Sequence, residues 1–197
     1  LVGDQDRLAR FAGGLASPIT NFATKFSPAR RVAEVVLGIH RKANLPEYHF
    51  STFTSWFKKR YGDVLRPSSE PLRKVALFPS CTIDYNDQHI GQAAVAVLQH
   101  NNVEVMLPEH QCCSMPLIDI GEYRDSITKI DYNLNKLSKL VDHGYDIVVP
   151  QPTCTLVIRE DYPRMSKNAE IAEKVANHTF EIGSYLTRMA QDKVLVR

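Results

Sequence analysis

The spacing of apolar positions along the 197-residue chain changes character near residue 74. Before it, apolar residues recur at helical intervals in short stretches separated by breakers. Leu8, Phe11, Ala12 and Leu15 form one stripe, weakened by Gly13-Gly14. Ser27-Pro28 sets a capping residue ahead of a proline at the first helical position, and Val32, Val35, Val36 and Ile39 then predict a helix that stops near Gly38. Thr52 opens a third short helix with Phe53, Phe57 and Tyr61 on one face, an aromatic stripe read as core rather than as a stacking platform for nucleic acid. Pro67-Ser68-Ser69-Glu70-Pro71 marks a boundary.

After Lys74 the order becomes strand, helix, strand, helix, strand, helix. Val75-Ala76-Leu77-Phe78 is the continuous apolar run of a strand buried on both faces. Ile90, Ala93, Ala94, Val97 and Leu98 predict a helix, and Val103 to Leu107 a second strand. Ile120, Tyr123, Ile127, Ile130, Leu134, Leu137 and Val141 recur at alternating three and four, the strongest helical signal present. Asp146 to Val149 is a third strand, followed by a short helix near Thr155 to Asp161 and, past Pro163, one long helix from Asn168 to Met189. This order predicts an α/β fold: a Rossmann-like, three-layer parallel sheet preceded by a small helical segment.

The composition, 44% hydrophobic and 23% charged, is that of an ordinary globular protein and excludes disordered, collagen-like and disulfide-dense classes. The net charge of +2 hides an asymmetry. Residues 1–70 carry 11 Lys/Arg against 6 Asp/Glu, and residues 71–197 carry 13 against 16. No apolar run reaches the roughly 18–20 residues of a membrane-spanning helix. No signal-peptide pattern follows Leu1, so a cytoplasmic location is expected. Together with the ragged end at Val194-Leu195-Val196-Arg197, that start favours a fragment of a longer protein.

Ligands of open parallel sheets gather at the carboxyl ends of the strands. Cys81 lies just past the first strand, Cys112 and Cys113 in the loop after the second, and Cys154 just past the third, so all four cysteines fall on that edge. Buried free thiols or disulfides are one reading, although Pro79, Ser80, Pro116, Pro152 and Thr153 mark loops and nothing indicates export. A four-thiolate zinc site is another, without the usual C-x(2–4)-C spacing. An iron–sulfur cluster is the third. Helix N-termini behind each strand would aim amides at the thiolates, Lys74 and Arg159 are near in sequence, and His110 is an alternative ligand or a solvated loop residue.

Phe78-Pro79-Ser80-Cys81, Cys112-Cys113-Ser114-Met115-Pro116 and Pro152-Thr153-Cys154, followed by Arg159-Glu160-Asp161-Tyr162-Pro163, resemble the cysteine-rich "CCG" domain family. That family includes the B subunit of heterodisulfide reductase and the iron–sulfur subunits of lactate, glycolate and anaerobic glycerol-3-phosphate oxidation. Within it the chain most resembles the first cysteine-rich repeat found in the C subunits of anaerobic glycerol-3-phosphate dehydrogenases, helped by Gly38-Ile39-His40, Leu45-Pro46 and Thr52-Phe53 with Trp56. The resemblance runs from about Ala33 to Pro163. It divides the chain into a helical linker or docking segment (1–70), a cysteine-rich α/β domain (71–165) and a helix (166–197) leading toward a second repeat.

The resemblance implies a [4Fe–4S] cluster on Cys81, Cys112, Cys113 and Cys154 in an electron-transfer subunit, with zinc as the alternative metal. The implied partners are a flavoprotein dehydrogenase subunit and a ferredoxin-like or second cysteine-rich segment. Electrons would pass toward quinone or another carrier, with peripheral contact at the inner face of the cytoplasmic membrane and no nucleic acid. Alternatives are a heterodisulfide or thiol reductase-type cluster domain and a zinc-stapled interaction domain. No catalytic residue is implied on this chain. The sequence departs from the family pattern at Gln151, where the closing Cys-x-x-Cys has its first cysteine, and at Ser114, where Cys-Cys-Gly has its glycine.

Overall fold

The computed structural model describes residues 5–12 and 16–195, so Gly13-Gly14 and Leu15 of the first stripe and Val196-Arg197 lie outside the described residues. Three helices lead the chain, α1 (Gln5–Ala12), α2 (Ser17–Lys25) and α3 (Ser27–Leu37). Ser27 and Pro28 occupy the first turn of α3, and Gly38 ends it in the left-handed conformation, φ 69°. Next come α4 (Phe53–Tyr61), capped by Thr52 accepting the Ser55 amide, and a two-residue strand β1 (Val64–Leu65). The remaining order is β2 (Arg73–Leu77), α5 (Cys81–Tyr85), α6 (Gln88–His100), β3 (Val103–Met106), α7 (Met115–Asp119), α8 (Tyr123–Asp142) and β4 (Asp146–Val149). It ends with α9 (Pro152–Leu156), a π-helical turn (Val157–Asp161), α10 (Tyr162–Met165), α11 (Ala169–Asn177), β5 (Thr179–Glu181) and α12 (Ile182–Gln191).

The five strands form one sheet in the order β1-β3-β2-β4-β5, an α/β fold as expected. Four are parallel, and β1 adds an antiparallel edge through Val64 opposite Met106. Successive residues of the central strands enter opposite layers. Val75, Leu77, Val105 and Val148 pack with Phe53, Phe57, Leu98 and Tyr185 of α4, α6 and α12, whereas Ala76, Phe78, Ile147 and Val149 pack with Ile130, Leu137, Tyr162 and Val175 on the other face. This two-sided burial is why the strands read as unbroken apolar runs.

Three local expectations are corrected. The long helix expected from Asn168 to Met189 is two helices separated by β5. Thr179-Phe180-Glu181 pair in parallel with Ile147-Val148-Val149, the Thr179 hydroxyl bonds the Val175 carbonyl at 2.7 Å, and Glu181 caps α12 through the Ser184 amide at 3.0 Å. Val175 and Ile182 are seven residues apart, two helical turns, so periodicity alone cannot register the break. The long α8 starts at Tyr123, because Gly121 adopts φ 78° and leaves Ile120 exposed behind it. The buried face of α6 runs through Gly91, Ala94, Val95 and Leu98, while Ile90 and Val97 are exposed.

A single glycine seats α4 against this layer. A Cβ on Gly91 would stand 2.6 Å from Phe53 Cδ2, 2.7 Å from Phe53 Cε2 and 2.9 Å from Ile83 Cγ2, all in the interior. We expect Gly91→Ala to lower stability by about 1–3 kcal/mol through overpacking, read as a reduced urea midpoint with an unchanged slope. An unaltered midpoint would contradict the close seating of Phe53.

Candidate metal centre

Parallel strands deliver their following turns to one edge, and each turn here brings cysteine to the start of a helix. Cys81 is the first residue of α5, whose Ser80 cap accepts the Ile83 amide at 3.2 Å. Cys112 and Cys113 immediately precede Ser114, the N-cap position of α7. Cys154 sits in the first turn of α9, behind Gln151 and Pro152. β2 lies between β3, its forward crossover partner, and β4, so Cys81 and Cys154 flank the point where the winding reverses, the crevice where open α/β sheets place ligands.

The four thiols meet in one line of contacts. Cys81 and Cys113 both hydrogen-bond Cys112, and Cys113 donates to Cys154 at 3.1 Å between sulfurs. The bonds from Cys113 and Cys81, then the Ser114 amide and nearby Lys129, pull the Cys112 pKa far below the ordinary thiol range, although burial opposes them. Cys81 and Cys113 shift upward, chiefly through their contacts with Cys112, joined for Cys113 by its contact with Cys154, and because both are desolvated. Of the four thiols, Cys112 is thus the one whose surroundings favour the thiolate, with the Ser114 amide directed at it.

The donor chemistry suits a thiophilic metal, since four sulfurs are the set that zinc or an iron–sulfur cluster takes. Both carboxylates in the adjoining wall are already engaged, Asp84 with the Thr54 amide at 2.7 Å and Glu109 with Lys136. The spacing is tighter than a bound ion requires. Sulfurs about 2.3 Å from a tetrahedral zinc lie about 3.8 Å apart, so Cys113 and Cys154 would have to separate. Among the described residues no three His, Cys, Asp or Glu side chains already stand in coordinating positions.

Cys113 and Cys154 are buried, whereas Cys81 and Cys112 are half-buried and open onto a cleft of about 350 Å³ lined also by Thr54, Lys58, Asp84 and His110. His110 is half-buried in the wall of the cleft, where Cys112 acts on it through charge. Its ring packs on Phe78 at 4.8 Å between centroids, its Nδ1 is 3.0 Å from the Pro108 carbonyl, and burial lowers its pKa. Lys74 lies near the start of β2, over the Tyr145 ring, away from the sulfurs; Arg159 is exposed on the π-helical turn. The cation that acts on Cys112 is Lys129, which sequence reasoning missed. It also missed Asn133, a fully buried amide beside Leu134 in the apolar stripe of α8.

The model of the CCG family, "Cysteine-rich domain", matches residues 75–159, which contain all four cysteines. The chain is 28% identical over 151 residues to the C subunit of anaerobic glycerol-3-phosphate dehydrogenase from Escherichia coli K12, an alignment covering 76% of this chain and 37% of that protein. It is 32% identical over 118 residues to lactate utilization protein A of Bacillus pumilus (57% of this chain, 48% of the relative). Against the protein of that name from an Exiguobacterium species it is 33% identical over 117 residues (57% and 46%). The chain thus spans less than half the length of each of these relatives. No solved structure matches it.

Ser114, in the glycine position of the family pattern, is fully buried with φ 80°, ψ 0°, a left-handed conformation that L side chains resist by about 1–2 kcal/mol. Its hydroxyl reaches the Ser126 carbonyl at only 3.4 Å. We expect Ser114→Gly to raise stability by about 0.5–1 kcal/mol, the strain relieved exceeding the added unfolded-chain entropy. A lowered melting temperature would instead show that the hydroxyl contact dominates.

Proposed function

We propose that residues 75–159, which match the CCG cysteine-rich domain, use Cys81, Cys112, Cys113 and Cys154 to hold a [4Fe–4S] cluster in an electron-transfer subunit of a flavin-linked dehydrogenase complex. The observation that carries this reading is the convergence of four thiols from three separate strand-to-helix turns. When bound, the cluster supplies one-electron chemistry. The chain's own contribution is to supply sulfur ligands, to direct the Thr82 and Ser114 amides at Cys81 and Cys112, and to bury Cys113 and Cys154 away from water. Substrate oxidation would belong to a flavoprotein partner, with electrons leaving toward quinone or another carrier.

The helices α1–α3 suit docking. The two core clusters draw no described residue from before Phe53. Phe22, Phe26, Val32, Val35 and Val36 are exposed on α2 and α3, and Phe22 and Phe26 stack at 5.3 Å. Lys25, Arg31, Arg41 and Lys42 surround a neighbouring cleft. Apolar and cationic surface together favour the anionic inner face of the cytoplasmic membrane, or the partner subunit. Among the described residues no helix is long and apolar enough to cross a membrane. On this reading the chain co-sediments with vesicles containing anionic lipid, and Phe22→Glu with Val35→Glu abolishes it; equal binding by wild type and variant would exclude this face.

A second reading, thiol or disulfide reduction at the centre, is favoured by the cleft onto which Cys81 and Cys112 open. Metal analysis of anaerobically purified protein addresses the centre directly. We expect about four iron and four acid-labile sulfide per chain, with visible absorption bleached by dithionite, and loss of most iron in Cys113→Ser or Cys154→Ser. One zinc without iron under strict anaerobiosis would overturn electron transfer and leave a zinc-stapled domain. Turnover of small disulfides by the iron-loaded chain would favour the second reading.

A further inference from the structure

Two adjacent residues in an extended backbone point their side chains to opposite faces. Cys112 and Cys113 nevertheless bring both sulfurs into one group, so the backbone between them must be held in a particular turn. The structure assigns this task to Asn133 of α8, which we propose is the positioning residue of the cysteine pair.

Asn133 is fully buried on α8 among Ile130, Leu134 and Leu137, on a face that also buries the hydroxyls of Ser126 and Ser138. An amide there is destabilising unless its donors and acceptor are used. Its Oδ1 accepts the Gln111 amide at 2.8 Å. Its Nδ2 donates to the Gln111 carbonyl at 3.3 Å, the Cys112 carbonyl at 3.3 Å and the Tyr162 hydroxyl at 2.9 Å. The Gln111 carbonyl belongs to the rigid peptide plane before Cys112, and the Cys112 carbonyl to the plane after it. Holding both planes fixes φ and ψ of Cys112, and the second plane also sets the start of Cys113. One side chain therefore sets the direction of the Cys112 Cα–Cβ bond and the point from which the Cys113 side chain departs. Tyr162, fully buried at the start of α10, ties the same amide to the helical run that carries Cys154. Left-handed Ser114 completes the turn on the far side of the pair.

The consequence for metal binding rests on the four-thiolate reading above, but the geometric role does not, and the test separates them. Hydrogen exchange and iodoacetamide alkylation are followed by mass spectrometry on the full chain, before and after anaerobic removal of bound metal with a chelator. In Asn133→Leu, the Gln111 amide is expected to exchange about tenfold faster while amides of β2 and β4 keep their rates. Alkylation of Cys112 and Cys113 in the metal-free chain is expected to change several-fold relative to Cys81. If Asn133→Leu does not fold, Asn133→Asp carries the test. It keeps the acceptor for the Gln111 amide and loses the donors, so Gln111 stays protected and the alkylation pattern alone shifts. Wild-type alkylation in either variant, or in the leucine variant an equal rise in exchange at Gln111, β2 and β4, overturns the positioning role. A wild-type chain without iron or zinc whose variants still show these shifts overturns the metal reading and supports the positioning role.

Discussion

Parallel pairing of β2 with β3 on one side and β4 on the other is the constraint from which the rest of the molecule follows. Parallel neighbours cannot be joined by a tight turn, so each strand must be followed by a crossover that returns across a face of the sheet. Those crossovers cover both faces, which is why Val75 to Phe78 and Ile147 to Val149 are all inaccessible to solvent. The same constraint directs every strand-to-helix turn to one edge. Cysteines separated by 30 and 40 residues in sequence thereby become neighbours.

At that edge, local backbone preferences yield to the arrangement of sulfurs. Ser114 accepts a left-handed conformation, and Asn133 places an amide in a buried helix face. Each departure from ordinary propensity is answered by particular partners, a long hydroxyl contact in one case and four hydrogen bonds in the other. Such concentrations of locally unfavourable choices are what functional sites show in otherwise consistent folds. Burial is graded across the group. Cys113 and Cys154 are enclosed, and Cys81 and Cys112 meet the cleft, so a centre held here would have one insulated side and one approachable side.

Away from the sheet, α1–α3 follow different physics. Arg30, buried on α3, donates to the carbonyls of His40, Arg41 and Ala43 and so folds the following loop back against its helix. The apolar side chains of α2 and α3 gain little from this arrangement, since Val35 and Val36 remain 86% and 71% exposed. This contiguous apolar exposure on a helical pair is the surface proposed above for docking.

The sequence by itself determined the α/β class, the three central strands, the cap at Thr52, the stop at Gly38 and the placement of all four cysteines after strands, because period, capping and strand-to-helix order are local properties. It did not determine β1 or β5. Strands of two and three residues exist only by pairing with Met106 or Val148, partners remote in sequence. It read the α4 stripe as core but left open whether the α3 stripe is covered, because helical spacing says that a face is apolar, not what lies opposite. Phe53 meets Gly91 across α6, whereas Val35 meets solvent. The sulfur contacts, the electrostatic surroundings of Cys112 and the role of Asn133 were likewise decided by tertiary structure, for they depend on distances between three turns and a helix that only the assembled sheet brings together.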